Sequence, residues 1–179
     1  VGSSMSDRSE RARSLVRRNN EYGAQVVKDF PGRFGHFAAL PLPDQEGSLR
    51  EIQYAYDVLK ADGIGLWTSY VDKWLGDPAF FPAYEELNRR NAVVFVHPAK
   101  PACCGNLPGL SGIIDYDLDT ARAIESLLWN GTSAKFPNVR FIFVHSGGAM
   151  SVLSSRMIDD LPRDREHAAL LPNGVEYEF

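Results

Sequence analysis

Long apolar runs are missing from this chain: no stretch approaches the roughly 20 residues that span a bilayer, and the N-terminus lacks the apolar core of a secretory signal. No membrane partner is therefore expected. Basic charge is not concentrated either. The formal net charge of −4 mixes both signs along the chain, unlike the cationic footprint that a phosphate backbone requires, so no nucleic-acid partner is expected. Cysteine is nearly absent. The only two, Cys103 and Cys104, are adjacent, and vicinal cysteines rarely bridge because the geometry is strained. No disulfide framework follows, which points to a reducing, cytoplasmic setting. The pair reads as small side chains in a loop, with a soft-metal or redox site as the alternative; zinc sites usually separate their cysteines by ~2–4 residues. No nucleotide-binding glycine loop follows any apolar run, and no G-x-S-x-G turn is present.

What the 179 residues do contain suffices for a sizeable core, with 44% hydrophobic and 23% charged residues. Ala12, Leu15, Val16, Tyr22 and Val26 fit one face of a helix from about Ser9 to Asp29, closed by Pro31-Gly32. Phe34–Leu40 reads as a short buried strand stopped by Pro41-Leu42-Pro43, and Leu49, Ile52, Tyr56 and Leu59 mark the next helix. Ile64–Ser69 is a second strand. Asp77-Pro78 starts a helix that carries Phe80, Phe81, Tyr84 and Leu87 inward, with Asp as N-cap and Pro at the first helical position. Ala92–Val96 and Val139–Val144 are nearly unbroken β-branched and aromatic runs, as strands buried on both faces require. Between them lie an irregular loop from Pro98 to Gly112 and a helix through Leu118, Ala121, Ile124 and Leu128. Four strand–helix units in strict alternation, roughly 25 to 50 residues apart, predict a parallel α/β fold with right-handed crossovers, either barrel or open sheet. The polar stretch Asp159–Phe179 ends on an alternating segment, Val175–Phe179. No linker or repeat divides the chain, so residues 1–179 are expected to form a single domain.

The informative feature is a repeated pattern: Val93-Val94-Phe95-Val96-His97-Pro98 and Phe141-Ile142-Phe143-Val144-His145-Ser146-Gly147-Gly148. Each buried run delivers a histidine at its strand's C-terminal end, where parallel α/β proteins bind ligands and barrels place active sites. Neutral imidazole ligates zinc-like ions, and near neutral pH it is also a usual general acid or base. A single such histidine is as readily structural as functional; the matched pair favours a shared site. Ser146-Gly147-Gly148 leads into a helix near Ala149, which places its backbone N–H groups for an anionic group such as a carboxylate. A tight turn that needs glycine for its dihedrals is equally expected and compatible with that role. Thr68, Ser69 and Tyr70 end a strand and are candidates to line a substrate pocket, while Trp67 and Trp74 read equally well as packing. His36 is as readily a core or barrel-lining residue as a functional one. His167, in the charged run from Arg163, is expected on a solvated surface, and Arg89-Arg90 as the polar end of its helix.

These landmarks belong to a longer series: Arg18-Asn19-Asn20-Glu21-Tyr22, Pro31-Gly32-Arg33-Phe34-Gly35, Ala38-Ala39-Leu40-Pro41-Leu42-Pro43-Asp44, Leu75-Gly76-Asp77-Pro78, Glu86-Leu87-Asn88-Arg89-Arg90, Val96-His97-Pro98, Val144-His145-Ser146-Gly147-Gly148 and Leu171-Pro172-Asn173-Gly174. In these stretches the chain resembles the amidohydrolase-related decarboxylases typified by aminocarboxymuconate-semialdehyde decarboxylase, and especially the 6-methylsalicylate-decarboxylase-like members. The resemblance implies a (β/α)8 TIM barrel. Its divalent metal, zinc first and manganese second, is held by an HxH pair on the first strand, a His on the fifth and an Asp on the eighth. His97 matches the fifth-strand ligand. His145 matches the sixth-strand histidine that serves as proton donor or base and orients the metal-bound water or substrate. The implied reaction is nonoxidative loss of CO2 from a salicylate-like aromatic carboxylic acid, without an organic cofactor, because the dearomatised intermediate itself holds the charge. A homo-oligomeric parent, active in secondary metabolism, is expected.

The chain departs from that pattern: it contains no HxH and stops before a seventh strand. A piece truncated at both ends is expected, approximately strands 3–6 of the barrel with their helices, inactive alone and prone to aggregate or dimerise through open sheet edges. Metal-dependent hydrolysis of a lactone or amide is the alternative on the same barrel. A noncatalytic remnant is the third reading.

Overall fold

The first helix, α1 (Glu10–Asp29), turns inward a narrower face than the periodicity suggests: Ala12, Val16 and Asn20 are buried, while Tyr22 is 72% exposed. The protein is described by a computed structural model covering residues 10–99 and 114–179, so Cys103, Cys104 and most of the Pro98–Gly112 loop lie outside the described residues. From α1 the chain runs through β1 (Phe37–Ala39), α2 (Gln45–Asp57), β2 (Gly63–Trp67), β3 (Ser69–Tyr70) and β4 (Lys73–Trp74). It continues through α3 (Phe81–Arg89), β5 (Val93–His97), α4 (Asp115–Trp129), β6 (Arg140–Phe143) and α5 (Met150–Asp160). Asp77 caps the turn ahead of α3 by accepting from the Ala79 N–H, with Pro78 at the first position, as its sequence predicts.

The main sheet has the order β1-β2-β5-β6. β1 and β2 run parallel, with Phe37 opposite Gly63 and Ala39 opposite Gly65. The Arg140 N–H donates to Ala92 O at 2.9 Å and the Val144 N–H to Val96 O at 3.3 Å, an equal step along both strands, so β5 and β6 are parallel too. Parallel neighbours need crossovers, and α2, α3 and α4 supply them. The α/β class expected from the alternation is the one that forms.

Contacts divide the chain into two compact units. The first comprises Val1–Leu66, Pro82–Phe95 and Asn138–Ile142 and contains most of the sheet. Its core is Val16, Leu40, Leu42, Ile52, Ile64, Tyr84, Leu87 and Val94, all fully buried. Each such aliphatic side chain contributes about 1.5–3 kcal/mol by leaving water. Asn20 is one of the polar residues buried with it. Its amide donates to Ala39 O at 2.9 Å and accepts from the Ala39 N–H at 2.8 Å, as a further strand would, and also donates to Glu51 at 2.8 Å. Arg17 completes the group with a 2.8 Å ion pair to Glu51. At the end of α3, Arg90 pairs with Asp57 at 2.7 Å and Arg89 with Glu86 at 2.7 Å, a polar helix end as expected.

The second unit comprises Trp67–Phe81, Val96–Pro137 and Phe143–Phe179. Leu128, Leu161, Leu171 and Val175 form its apolar cluster, with Ile124, Met157 and Ile158 packed against it. Val175–Glu178 is a helical turn, with Val175 buried and Tyr177 exposed. The backbone of Gly76 lies against α4 so closely that a Cβ there would stand 1.8 Å from Ser126 O. Only glycine allows that approach.

Candidate active site at the strand ends

Along β5, Val94 and Val96 are fully buried, and alternation turns His97 to the other face, where it is exposed. β6 ends differently. After the extended Val144, four successive residues take positive φ: His145 (53°), Ser146 (55°), Gly147 (79°) and Gly148 (58°). For His145 and Ser146 this left-handed backbone costs on the order of 1–3 kcal/mol each, the kind of local strain that clusters at functional sites. The turn is held by Gly147 N–H to Val144 O at 3.2 Å, Gly148 N–H to His145 O at 2.9 Å and Ala149 N–H to Asp117 O at 3.1 Å. Those three amides are committed to carbonyls, and Ser146-Gly147-Gly148 forms a tight turn. At Gly148 a Cβ would stand 2.4 Å from Asp117 O, so this glycine serves both its dihedrals and the approach to α4.

The turn brings the two histidines together. The His97 and His145 rings lie 5.8 Å apart between centroids, inclined at 68°. Trp67 meets the His97 ring edge-on at 5.7 Å. His97 Nδ1 lies 2.9 Å from Pro98 O. A carbonyl only accepts, so Nδ1 carries the proton, and the neutral ring keeps a lone pair on Nε2 for a metal or a proton. His145 Nδ1 stands 3.7 Å from Asp117 Oδ1, beyond hydrogen-bond distance, with both side chains about half exposed, 46% and 49%. Among the described residues no group of three His, Cys, Asp or Glu side chains converges as a metal site. Two imidazoles are donors of the right kind but too few for an ion that takes about four ligands.

The other residues singled out in the sequence take varied places. Thr68 is fully buried, its hydroxyl donating to Asp119 and accepting from the Ala99 N–H at 3.0 Å. Tyr70 is buried as well: it packs on Phe80 and accepts from the Trp67 N–H at 3.1 Å, and burial pushes its phenol far above the usual range. Ser69 is half-buried and pairs across the β3–β4 hairpin with Trp74. Trp74 donates its indole N–H to Asp119 at 2.9 Å. His36 is packed against Gly23 of α1, and burial pushes its imidazole pKa down against the opposing pull of Asp62. His167 corrects the solvated-surface expectation: it stacks on Trp129 at 3.9 Å and lies 3.1 Å from Asp164, with its side chain 25% exposed. A flat indole neighbour buries the ring despite the charged run around it.

Two acidic residues of α4, Asp117 beside His145 and Asp119 beneath Thr68, were not singled out. Asp119 had a visible signal, since it lies in line with the buried Ala123 and Leu127 at four-residue steps, a carboxyl group in an apolar stripe. A cavity of about 550 Å³ between α4 and α5 is lined by Arg122, Trp129, Met150, Arg156 and Met157 among others, and contains neither His97 nor His145.

Known proteins share this architecture. The chain is 41% identical over 163 residues to the decarboxylase macB of Penicillium terrestre, covering 85% of this chain and 48% of that protein. It is 37% identical over 157 residues to a 6-methylsalicylic acid decarboxylase of Penicillium expansum, covering 85% and 48%. A 5-carboxyvanillate decarboxylase from Novosphingobium aromaticivorans, solved with bound manganese, superposes with a TM-score of 0.83 at 22% identity, over 91% of this chain and 49% of that one. The chain thus spans about half the length of the curated relatives it matches. Its fold is part of a (β/α)8 barrel. The family model described as Amidohydrolase matches residues 3–173, and the chain belongs to that family.

Proposed function

We propose that the complete protein is a metal-dependent, nonoxidative decarboxylase of a salicylate-like aromatic carboxylic acid, and that this chain supplies His97 as one metal ligand and His145 as the proton donor. The carrying observation is the pair of imidazoles that successive strand ends hold 5.8 Å apart. The names of the curated relatives, a 6-methylsalicylic acid decarboxylase among them, support this reading over hydrolysis of a lactone or amide. The described residues do not complete a metal site by themselves, so the remaining ligands are proposed to come from the rest of the barrel. Zinc is the proposed ion, with manganese, bound by the carboxyvanillate decarboxylase, as the alternative. Such an ion would orient the substrate's oxygens. In the proposed step His145 gives a proton to the ring carbon bearing the carboxylate, the C–C bond breaks, its electron pair restores the aromatic ring, and CO2 leaves. His97 keeps its Nε2 lone pair directed by the Pro98 contact. Ser69, Ser146 and Gly147 are proposed to contact the substrate, with the buried Thr68 and Tyr70 behind Ser69 as candidates of the same strand end. Residues 1–179 are proposed as one piece of a single barrel domain, acting in the cytoplasm in secondary metabolism.

The test is CO2 release by the complete protein from salicylate and 6-methylsalicylate. Replacing His145 by Gln is expected to slow it by about 10²–10⁴-fold, the usual worth of a positioned acid or base. Ring-opening of a lactone without CO2 release would overturn the proposal.

A further inference from the structure

Asp119 is fully buried, and the proposed reaction gives it no part in proton transfer. One of its oxygens accepts from the Trp74 indole at 2.9 Å and the other from the Thr68 hydroxyl. An indole N–H can only donate. The Thr68 oxygen already accepts the Ala99 N–H at 3.0 Å, so its proton goes to Asp119. The Ala99 N–H and the Pro98 C=O belong to one planar peptide unit, so fixing the first directs the second. That carbonyl is the one that His97 Nδ1 contacts at 2.9 Å. The Thr68 N–H, meanwhile, donates to His97 O at 3.0 Å, so Thr68 grips the backbone on both sides of Pro98.

We infer that Asp119 is a positioning residue for His97: it orients the Thr68 hydroxyl, which fixes the Pro98–Ala99 peptide and thereby the tautomer and pose of the imidazole. The inference rests on reading His97 as a site residue, but its test needs no activity. The chemistry demands an acceptor at both oxygens, which Asn cannot provide. In either orientation its amide NH2 would face the Trp74 N–H or stop Thr68 from donating.

The ring 15N resonances of His97, in the histidine-labelled chain and assigned by their loss in His97→Gln, report the tautomer. The unmodified protein is expected to show the Nδ1–H form and an exchange-protected Ala99 amide. Asp119→Asn and Thr68→Val are each expected to raise the Nε2–H population by about tenfold, the worth of one hydrogen bond. Thr68→Ser, which keeps the hydroxyl, is expected to restore the native pattern, and Trp74→Phe to leave it. If Asp119→Asn fails to fold, Thr68→Val decides. Unchanged His97 resonances in either folded variant, or an unprotected Ala99 amide in the unmodified protein, would overturn the inference. Absence of decarboxylation by the complete protein would overturn the functional proposal alone and leave these resonances as they are.

Discussion

The side-chain amide of Asn20 pairs with both the N–H and the C=O of Ala39, at 2.8 and 2.9 Å, and so partners the last residue of β1 at an edge of the sheet. Its remaining donor reaches Glu51, a buried carboxylate that also receives Arg17. Every polar capacity of this amide except one acceptor lone pair is used in a 2% exposed position.

Asn20→Leu keeps the branched shape of the side chain and removes all three bonds. Buried groups left unpartnered cost about 1–3 kcal/mol each, and Arg17 still compensates Glu51, so a total loss of about 2–4 kcal/mol is expected. Urea unfolding followed by circular dichroism measures it. A loss under about 0.5 kcal/mol, the range of ordinary surface substitutions, would show that water replaces the amide.

The turn after β6 permits a paired comparison. Gly148 has φ 58° and ψ −139°, a region nearly restricted to glycine, and an added Cβ would meet Asp117 O at 2.4 Å. Gly147 has φ 79°, but a Cβ added there would meet only Ile124 Cδ1, at 3.7 Å. Gly147→Ala is expected to cost about 1–2 kcal/mol, the left-handed penalty alone. Gly148→Ala has to displace backbone as well, so its melting temperature should fall further. Equal losses would show that the α4 contact does not constrain the turn.

The periodicity and the buried runs made the strand–helix alternation legible, and the strand ends carrying His97 and His145 with it. What escaped were features set by partners distant in sequence. Phe34–Leu40 shortens to the three residues of β1, leaving Phe34 55% exposed, because parallel pairing with β2 reaches only Phe37–Ala39. The burial of Asn20 follows from the Ala39 backbone, which partners its amide from 19 positions away. The β3–β4 hairpin carried no turn signal: Val71, a β-branched residue, takes φ 61° where Asn or Gly usually stands. The site's support, Asp119 under Thr68, joins residues 51 positions apart.

Acid should weaken the fold in two windows. Burial holds the His36 imidazole below its usual value near 6.5, so the unfolded chain binds the proton first and stability falls as pH drops below about 6.5. Glu86 is held down at about 2, first by its hydrogen bond from Arg89 and then by Arg90. Its contribution is complete above the usual glutamate value, about 4.3, and is lost as pH falls from there toward 2. Urea midpoints at pH 7.5, 5.5 and 3.5 should decline in both steps, and His36→Gln should flatten only the first. A first step that persists in His36→Gln would assign it to another group.

Zinc retention tests how much of the site this chain carries by itself. His97 and His145 supply two imidazoles, with Asp117 3.7 Å from the second, and no third ligand joins them among the described residues. A tetrahedral ion held by two imidazoles would keep about two positions for water and exchange readily. After equilibration with zinc and gel filtration, the 179-residue chain is expected to retain far less than one ion per chain and to release no CO2 from salicylate. His97→Gln should then change the retained zinc little, whereas in the complete protein the same substitution should abolish stoichiometric binding. Near-stoichiometric zinc on the chain would instead mean that residues of this chain complete the set, and His97→Gln would have to remove it.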